Sequence, residues 1–492
     1  MRKHHTRGAG TQKWTWLLHV AACAGQAVAV SGPAQAQLQV DGDTWYTSDI
    51  HLHANGCKND DRSSSEILEL MKAGGVNIGS ALAWSGGEPL NRDAPKLRGQ
   101  QDDPVSEEHF ILHWDVEISG LPGDWHGHMD FLNASRTDIF VESGGSYIAA
   151  YPGQDYLLPN YDFIQAGGGL VGYGHGHAWT AGVRTVAGWR PQRELPLDVV
   201  LARVDFYATE YLNEGWEWLW YQMFDAGFQI PGLGTSDLGC IHDSAGAYTG
   251  DFFLPRDQPL SYATFIQAVR AGRTVVKRKI GLAERDFLDL RVNDARIGAQ
   301  VELAASEPTV EVQATARSVT ANATLQLIQN GEVIRAHPIT GALETVTWTV
   351  SVDRSGWLAA KTLNDQTVNA HTSAIFVIKE GCPVRNDPAG ARAWGDYLEE
   401  YFEVGAATGV FGDSIAEVRQ KVDEAKRIWT RIAEEGEGKA PMPCKAAPPR
   451  SGASDPSAGG GCATHAAPHG DCGAPGVLVL AALALLRRWQ RI

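Results

Sequence analysis

From about Leu38 to Lys279 short apolar runs alternate with stretches of helical periodicity, the pattern of β/α units in which each strand is followed by a covering helix. Ser65 to Lys72 is the first helix so predicted, with Ser63 or Ser64 as its cap, Glu66 in its first turn and Gly74-Gly75 as its stop before Val76-Asn77-Ile78. Further units are predicted over Phe110 to Ser119, Gly127 to Asn133, Tyr161 to Tyr173, Val199 to Tyr211, Trp216 to Gly227, and Tyr262 to Ala271 followed by Thr274-Val275-Val276. Roughly seven strand candidates result, enough for a barrel.

Beyond about Asp286 the pattern changes to strand alternation without helices. Val310, Val312, Ala314 and Ala316 share one face, Asn330-Gly331 is a hairpin turn, and Val346, Trp348, Val350 and Val352 alternate again. This predicts an Ig-like β-sandwich of about ninety residues. Asp387 to Glu435 turns helical, with Ser414 and Glu417 as a capping box ahead of the stripe Ile415, Val418, Val422, Ile428 and Ile432, which most simply buries against the barrel. After Gly436 the Pro, Ala, Gly and Ser content predicts a disordered linker. Pro475 to Leu486 is apolar but short for a membrane span, and Arg487, Arg488 and Arg491 follow it.

The start has the form of an export signal: Arg2, Lys3 and Arg7, an apolar run from Trp14 to Val30, then Ala34-Gln35-Ala36, with cleavage predicted after Ala36. Val20-Ala21-Ala22-Cys23 offers a competing lipoprotein signal. The predicted organisation is therefore α/β, with a signal peptide at 1–36, a barrel of about seven β/α units at 37–285, a β-sandwich at 286–380, a helical segment at 381–436, a linker at 437–473 and a short apolar segment at 474–492.

Composition adds two constraints. With 43% hydrophobic and 20% charged residues the chain is soluble and globular in type, and a formal charge of −16 argues against a nucleic-acid partner, because phosphate contacts need a basic surface. Export places the remaining cysteines in a disulfide-permissive compartment. Cys57 and Cys240 each lie just beyond a histidine or aspartate cluster, Cys382 and Cys444 bracket the helical segment, and Cys462 and Cys472 sit in the linker. These positions suggest pairs, with a Cys57–Cys240 bridge expected if the two loops meet at one site, although six cysteines allow fifteen pairings.

Polar clusters stand at or just after strand candidates in the first half. Asp49, His51 and His53 share one side of an extended segment, with Ile50 and Leu52 turned to a core. Glu117 ends His113-Trp114-Asp115-Val116-Glu117, and Gly127-His128 opens the next strand. A Gly-rich strand ends in Gly174-His175-Gly176-His177, and Gly234-Thr235-Ser236-Asp237 ends another. Imidazoles with a few carboxylates suit zinc, manganese or iron, and sites in β/α barrels collect at the C-terminal ends of strands. Taken singly, each cluster has an ordinary alternative, and Asp237 after Thr-Ser suits a turn cap equally well.

The order of these motifs resembles the polymerase and histidinol phosphatase (PHP) superfamily, and in detail its CehA/McbA-like branch of metallohydrolases. The likeness rests on His51-x-His53, on Glu117 with Gly-His128 and Leu132-Asn133, on His175 after its Gly-Gly-apolar strand, and on Gly-Thr-Ser-Asp237; it spans roughly residues 45 to 380, including Phe224 to Pro231, Asn330-Gly331 and Ser355-Gly356-Trp357. It implies an exported hydrolase using one or two divalent ions (Zn, Mn or Fe) to cleave a phosphoester or a carboxylic or carbamic ester of a small-molecule substrate. His51, His53, Glu117, His128, His175 and Asp237 are the implied ligands, Asp237 also orienting water, with His177 or His242 donating a proton. Two positions depart from the superfamily: Ile78-Gly79-Ser80-Ala81-Leu82-Ala83-Trp84 stands where Thr-Asp-His is usual, and Gly239 where a histidine follows the aspartate, a place that His242 is expected to fill. A surface binding protein with a degenerate barrel is the competing function. A serine hydrolase is disfavoured, since Gly234-Thr235-Ser236-Asp237-Leu238 lacks the second glycine of a nucleophile elbow. The last thirty or so residues resemble a myxobacterial C-terminal sorting signal, which implies attachment to the cell envelope.

Overall fold

Strands in the first half occupy short apolar runs bounded by turn residues: β1 (Leu38–Val40), β2 (Asp43–Leu52), β3 (Ile78–Trp84), β4 (Ile111–Ile118), β5 (Met129–Leu132), β6 (Leu170–Tyr173), β7 (Phe206–Thr209), β8 (Gly232–Gly234), β9 (Tyr248–Pro255) and β10 (Thr274–Arg278). The structure, a computed structural model, describes residues 38–55, 61–84, 92–118, 127–135, 158–175, 194–278 and 286–444. The predicted export signal, Cys57, His177, Cys462, Cys472 and the terminal apolar segment lie outside the described residues. Interleaved helices are α1 (Ser64–Gly74), α2 (Leu158–Ala166), α3 (Leu195–Val200), α4 (Glu214–Asp225) and α5 (Tyr262–Arg270). Ser63 caps α1 in a capping box with Glu66, and Gly75, at φ 66°, ends it in a left-handed turn that glycine adopts without a Cβ penalty.

The pairing is mixed. β2, β3 and β4 run parallel, β5 is antiparallel to both neighbours, β6, β7 and β8 are parallel again, and β9 and β10 return antiparallel beside β2. The predicted closed barrel does not form among the described residues. β8 makes no ladder with β2 or β9, and that side is spanned by one bridge, with His53 N donating to Leu238 O at 3.0 Å and Leu238 N donating to His51 O at 3.2 Å. β8 is only 3 residues long, and Asp237 then turns the chain at φ 46°, so no edge remains for a full ladder.

The curved sheet still encloses a core. Ile78, Ile111, Leu170 and Phe206, from the first residues of their strands, pack with Ile50, Leu233 and Phe252 against Phe265 and Val269 of α5. α5 therefore fills the end where the parallel strands begin and leaves their C-terminal ends for the polar residues.

In the second half come β11 (Phe287–Val292), β12 (Ala295–Arg296), β13 (Gln300–Leu303), β14 (Thr309–Arg317), β15 (Ala323–Gln329), β16 (Glu332–Ile339), β17 (Glu344–Ser351), β18 (Gly356–Asn364), β19 (Thr367–Thr372) and β20 (Ile375–Lys379). β19 pairs with β10, so the large sheet continues across the predicted boundary at 285, and a second sheet, β12-β11-β14-β17, packs over it. Asn330 and Gly331, at φ 50° and 85°, make the β15–β16 hairpin turn, both in the left-handed region that a two-residue hairpin of this type needs.

α6 (Pro388–Thr408) and α7 (Ile415–Gly436) pack on each other and on α3, where Trp429 Nε1 donates to Pro196 O at 2.9 Å. The stripe Val418, Val422 and Ile432 is buried, whereas Ile415 is exposed. The predicted capping box at Ser414 is absent: a 3-10 turn, Gly412–Ser414, runs straight into α7, and Ser414 at ψ 0° lacks the extended backbone that aims a hydroxyl at the first amides. A disulfide joins Cys382 to Cys444, Cα atoms 3.9 Å apart. Among the described residues no helix is long and apolar enough to cross a membrane.

Candidate metal centre

The end of β2 carries a register irregularity between Asp49 and Leu52. Such a bulge re-aims side chains, and here Ile50 enters the interior core while Leu52 packs with Ile67 and Met71 of α1. His51 and His53 consequently meet, with Nε2 atoms 3.1 Å apart. Oε2 of Glu117, from the C-terminal part of β4, lies 3.3 Å from each of them. Oδ1 of Asp237, just past β8, lies 3.2 Å from His53 Nε2 and 3.7 Å from His51 Nε2.

These distances identify what the group suits. Ligands around a tetrahedral zinc bonded at 2.0–2.1 Å lie about 3.3–3.4 Å from one another, and the five separations bracket that value. Asp237 Oδ1 is buried, and its 3.2 Å approach to His53 Nε2 brings a second carboxylate oxygen to the same imidazoles. The other oxygen of Glu117 faces a second set: Oε1 is 2.8 Å from His128 Nδ1 and 3.9 Å from His175 Nε2. The donors present thus fit a cation held between imidazoles and carboxylates, with Glu117 shared between two groups of ligand atoms.

Behind the histidines stand two carboxylates. Asp130 Oδ2, on β5, is 3.1 Å from His51 Nδ1, and Glu210 Oε1, directly after β7, is 2.8 Å from His175 Nδ1 and accepts from Thr235 Oγ1 at 3.2 Å. Carboxylates in this position fix the tautomer and ring orientation of a ligating histidine. Close approach explains Gly174: a Cβ there would come within 3.2 Å of Asp130 Oδ2 and 3.3 Å of the His51 ring. His175 and Asp237 themselves hold left-handed backbone, at φ 61° and 46°, a conformation uncommon outside glycine and often found at functional sites.

Burial and charge oppose each other throughout the cluster. Burial pulls the His51 ring down, but Asp130 and Glu117 outweigh it and hold it well above the usual histidine range. His175 is raised likewise, burial being overcome by Glu210 and Glu117. Burial pushes Glu117 up, and the charge of His51 with bonds from His128 and His175 brings it well below the usual carboxylate range. For Asp237 burial is overcome by the neighbouring His53 and His51 rings, leaving it at about 2. Asp130 goes the other way, since burial dominates and raises it. Without an ion, protons on His51 and His175 balance the buried carboxylates; a divalent cation is the alternative counter-charge.

Of the residues singled out from sequence, His51, His53, Glu117 and Asp237 converge, and His128 and His175 adjoin them on the far oxygen of Glu117. His242 is in none of these groups; its ring lies 6.1 Å from Tyr211 and 5.8 Å from Tyr248, and burial holds it below the usual histidine range. Trp84 packs edge-on to His53 at 5.8 Å. Asp130 and Glu210 were not foreseen. The available signal was a carboxylate inside Met129-Asp130-Phe131-Leu132, an otherwise apolar strand, and one immediately after Phe206 to Thr209. Cys240 is disulfide-bonded, while Cys57, its expected partner, lies outside the described residues.

No family model matches the chain, and no curated protein matches it. Among solved structures, a lesion-specific endonuclease from Pyrococcus furiosus, PfuEndoQ, is similar at 14% identity and TM-score 0.31, over 46% of this chain and 56% of that one. Endonuclease Q in complex with a 27-mer duplex bearing an abasic lesion gives 14% identity, TM-score 0.30 and the same shares, 46% and 56%. A CARDB domain from Pyrococcus furiosus, 14% identical with TM-score 0.15, matches 19% of this chain and 97% of its own. The chain thus spans 56% of the length of each endonuclease. The exclusion of nucleic acid as a partner is withdrawn, since two of these neighbours are endonucleases and one was solved on a DNA substrate. A charge of −16 is a sum over the chain, whereas the potential that meets a phosphate is local to the site.

Proposed function

We propose that this chain is a metal-dependent hydrolase of the PHP type, akin to the CehA/McbA-like branch, cleaving an ester-class bond with water. The observation that supports it is the meeting of His51, His53, Glu117 and Asp237 at separations of 3.1–3.7 Å. In this reading those residues hold one divalent ion, and Glu117 Oε1 with His128 and His175 holds a second. A bound divalent ion supplies Lewis acidity, lowering the pKa of a water and polarising the scissile group. Asp130 and Glu210 keep the His51 and His175 rings oriented. Asp237, ionised down to about 2, accepts a hydrogen bond from the attacking water and orients it. His177 or His242 donates a proton to the leaving group, His242 being held below the usual histidine range by burial. Export, cleavage after Ala36 and attachment through the C-terminal segment complete the proposal, on sequence grounds.

The test is turnover of aryl phosphates, aryl esters, aryl carbamates and a DNA duplex by protein loaded with Zn, Mn or Fe, beside the Glu117→Gln variant. Hydrolysis of at least one, lost in the variant and on chelation, is expected. A loaded protein that turns over none of them is instead the binding protein with a degenerate barrel.

A further inference from the structure

Asp49 stands in the same strand segment as the histidines but belongs to neither ligand group. It is completely buried, and it spends its carboxylate on backbone amides: Oδ1 accepts from Ser236 N at 3.0 Å and Oδ2 from Gly246 N at 2.8 Å, while His51 N approaches Oδ1 at 3.5 Å. Ser236 is the residue before Asp237. Gly246, at φ 75°, closes the loop that begins at Asp237, whose carbonyl oxygen accepts from Cys240 N and Ile241 N at 3.1 and 3.0 Å. The same loop is held to β2 by Leu238, whose N and O bond to the backbones of His51 and His53. Because β8 makes no ladder with β2, these few contacts set the height and rotation of the Asp237 loop over the histidines.

We infer that Asp49 is a positioning residue: by binding both ends of the 236–246 loop it sets the left-handed turn at Asp237 and thereby places Asp237 Oδ1 against the Nε2 atoms of His51 and His53. The inference rests on the metal reading of that cluster and adds a residue which that reading does not use. A carboxylate is required because both oxygens accept from main-chain amides. Asparagine offers one acceptor, and its NH2 group then faces an amide N–H, which displaces one end of the loop.

The test compares zinc affinity, by competition with a chromophoric chelator, and thermal midpoint for wild type, Asp49→Asn, Asp237→Asn and the double variant. Asp49→Asn is expected to weaken zinc binding on the order of tenfold to a hundredfold, as loss of an orienting partner does. In the Asp237→Asn background it is expected to change affinity by less than about threefold, while the loss of thermal midpoint is the same in both backgrounds, because coupling appears only between residues acting together. An equal drop in affinity in both backgrounds, or none in either, overturns the inference. Should Asp49→Asn not fold, Asp49→Glu keeps both acceptor oxygens but lengthens the tether. It is expected to weaken binding about tenfold, and unchanged affinity overturns the inference in that case. Wild-type protein that takes up no zinc defeats the metal reading itself, an outcome distinct from all of these.

Discussion

Asp130 gives the sharpest single test of how the centre is built. Its Oδ2 lies 3.1 Å from His51 Nδ1, both side chains are fully buried, and a charge-assisted bond at that distance orients the ring and raises its basicity. Asp130→Asn keeps an acceptor for Nδ1–H and so keeps the orientation, losing only the charge. Asp130→Ala loses both. Partners of this kind contribute about tenfold to a hundredfold in metal affinity, so the asparagine variant is expected near the lower figure and the alanine variant near the upper. These losses correspond to about 1.4 and 2.7 kcal/mol. The assay is chelator competition for zinc at neutral pH, with the thermal midpoint of the metal-free protein as control. The metal-free asparagine variant also loses the charge that helps hold His51 above the usual histidine range, so its thermal midpoint is read separately from its metal affinity. Affinities within about threefold of wild type for both variants would refute the orienting role, which requires the graded loss.

Other expectations follow from the same geometry. Asp237→Asn keeps a residue that tolerates φ 46° and removes the charge, so turnover should drop on the order of a hundredfold or more with thermal stability nearly kept; kcat beside a thermal melt checks this, and a turn-capping role predicts the opposite pattern. Asp225, which accepts from Trp357 Nε1 at 2.8 Å, is pushed up by burial to about 6. Between its unfolded value near 3.9 and about 6 the folded chain holds a proton that the unfolded chain has released, so this contribution is present at low pH and lost as pH rises through about 6. Relative to Asp225→Asn, wild type should therefore gain about 3 kcal/mol of unfolding free energy between neutral pH and acid below its unfolded pKa, read from denaturant melts at both ends; no pH-dependent difference contradicts it. Cys444→Ser opens a loop spanning 62 positions and should cost about 2–4 kcal/mol in the same melts, with an unchanged midpoint contradicting a stabilising bridge.

Local signals carried much of the fold. Ser63, Glu66 and Gly75 fix the ends of α1 through contacts within a few residues, and the alternation at Val310, Val312, Ala314 and Ala316 places β14 with its apolar face buried. What the sequence did not disclose depends on distant partners. Whether β8 closes against β2 is decided by its 3-residue length and the turn at Asp237, and the continuity of the sheet from β10 to β19 joins residues nearly a hundred positions apart. The histidines were visible because imidazoles at strand ends are uncommon. Asp130, 79 residues from His51, and Glu210 were hidden because nothing local distinguishes an orienting carboxylate from a solvated one. Asp49 was visible as part of its cluster, but its work on the amides of Ser236 and Gly246 appears only once those loops meet.

The central claim, that His51, His53, Glu117 and Asp237 hold a divalent ion, is tested most directly by elemental analysis of protein purified without chelator, wild type beside a His51→Ala, His53→Ala double variant. The account predicts about one to two equivalents of zinc, manganese or iron per wild-type chain, and a clear loss in the variant at an unchanged fold by circular dichroism. Less than about a tenth of an equivalent in wild type, with none taken up when metal is added back, would contradict it.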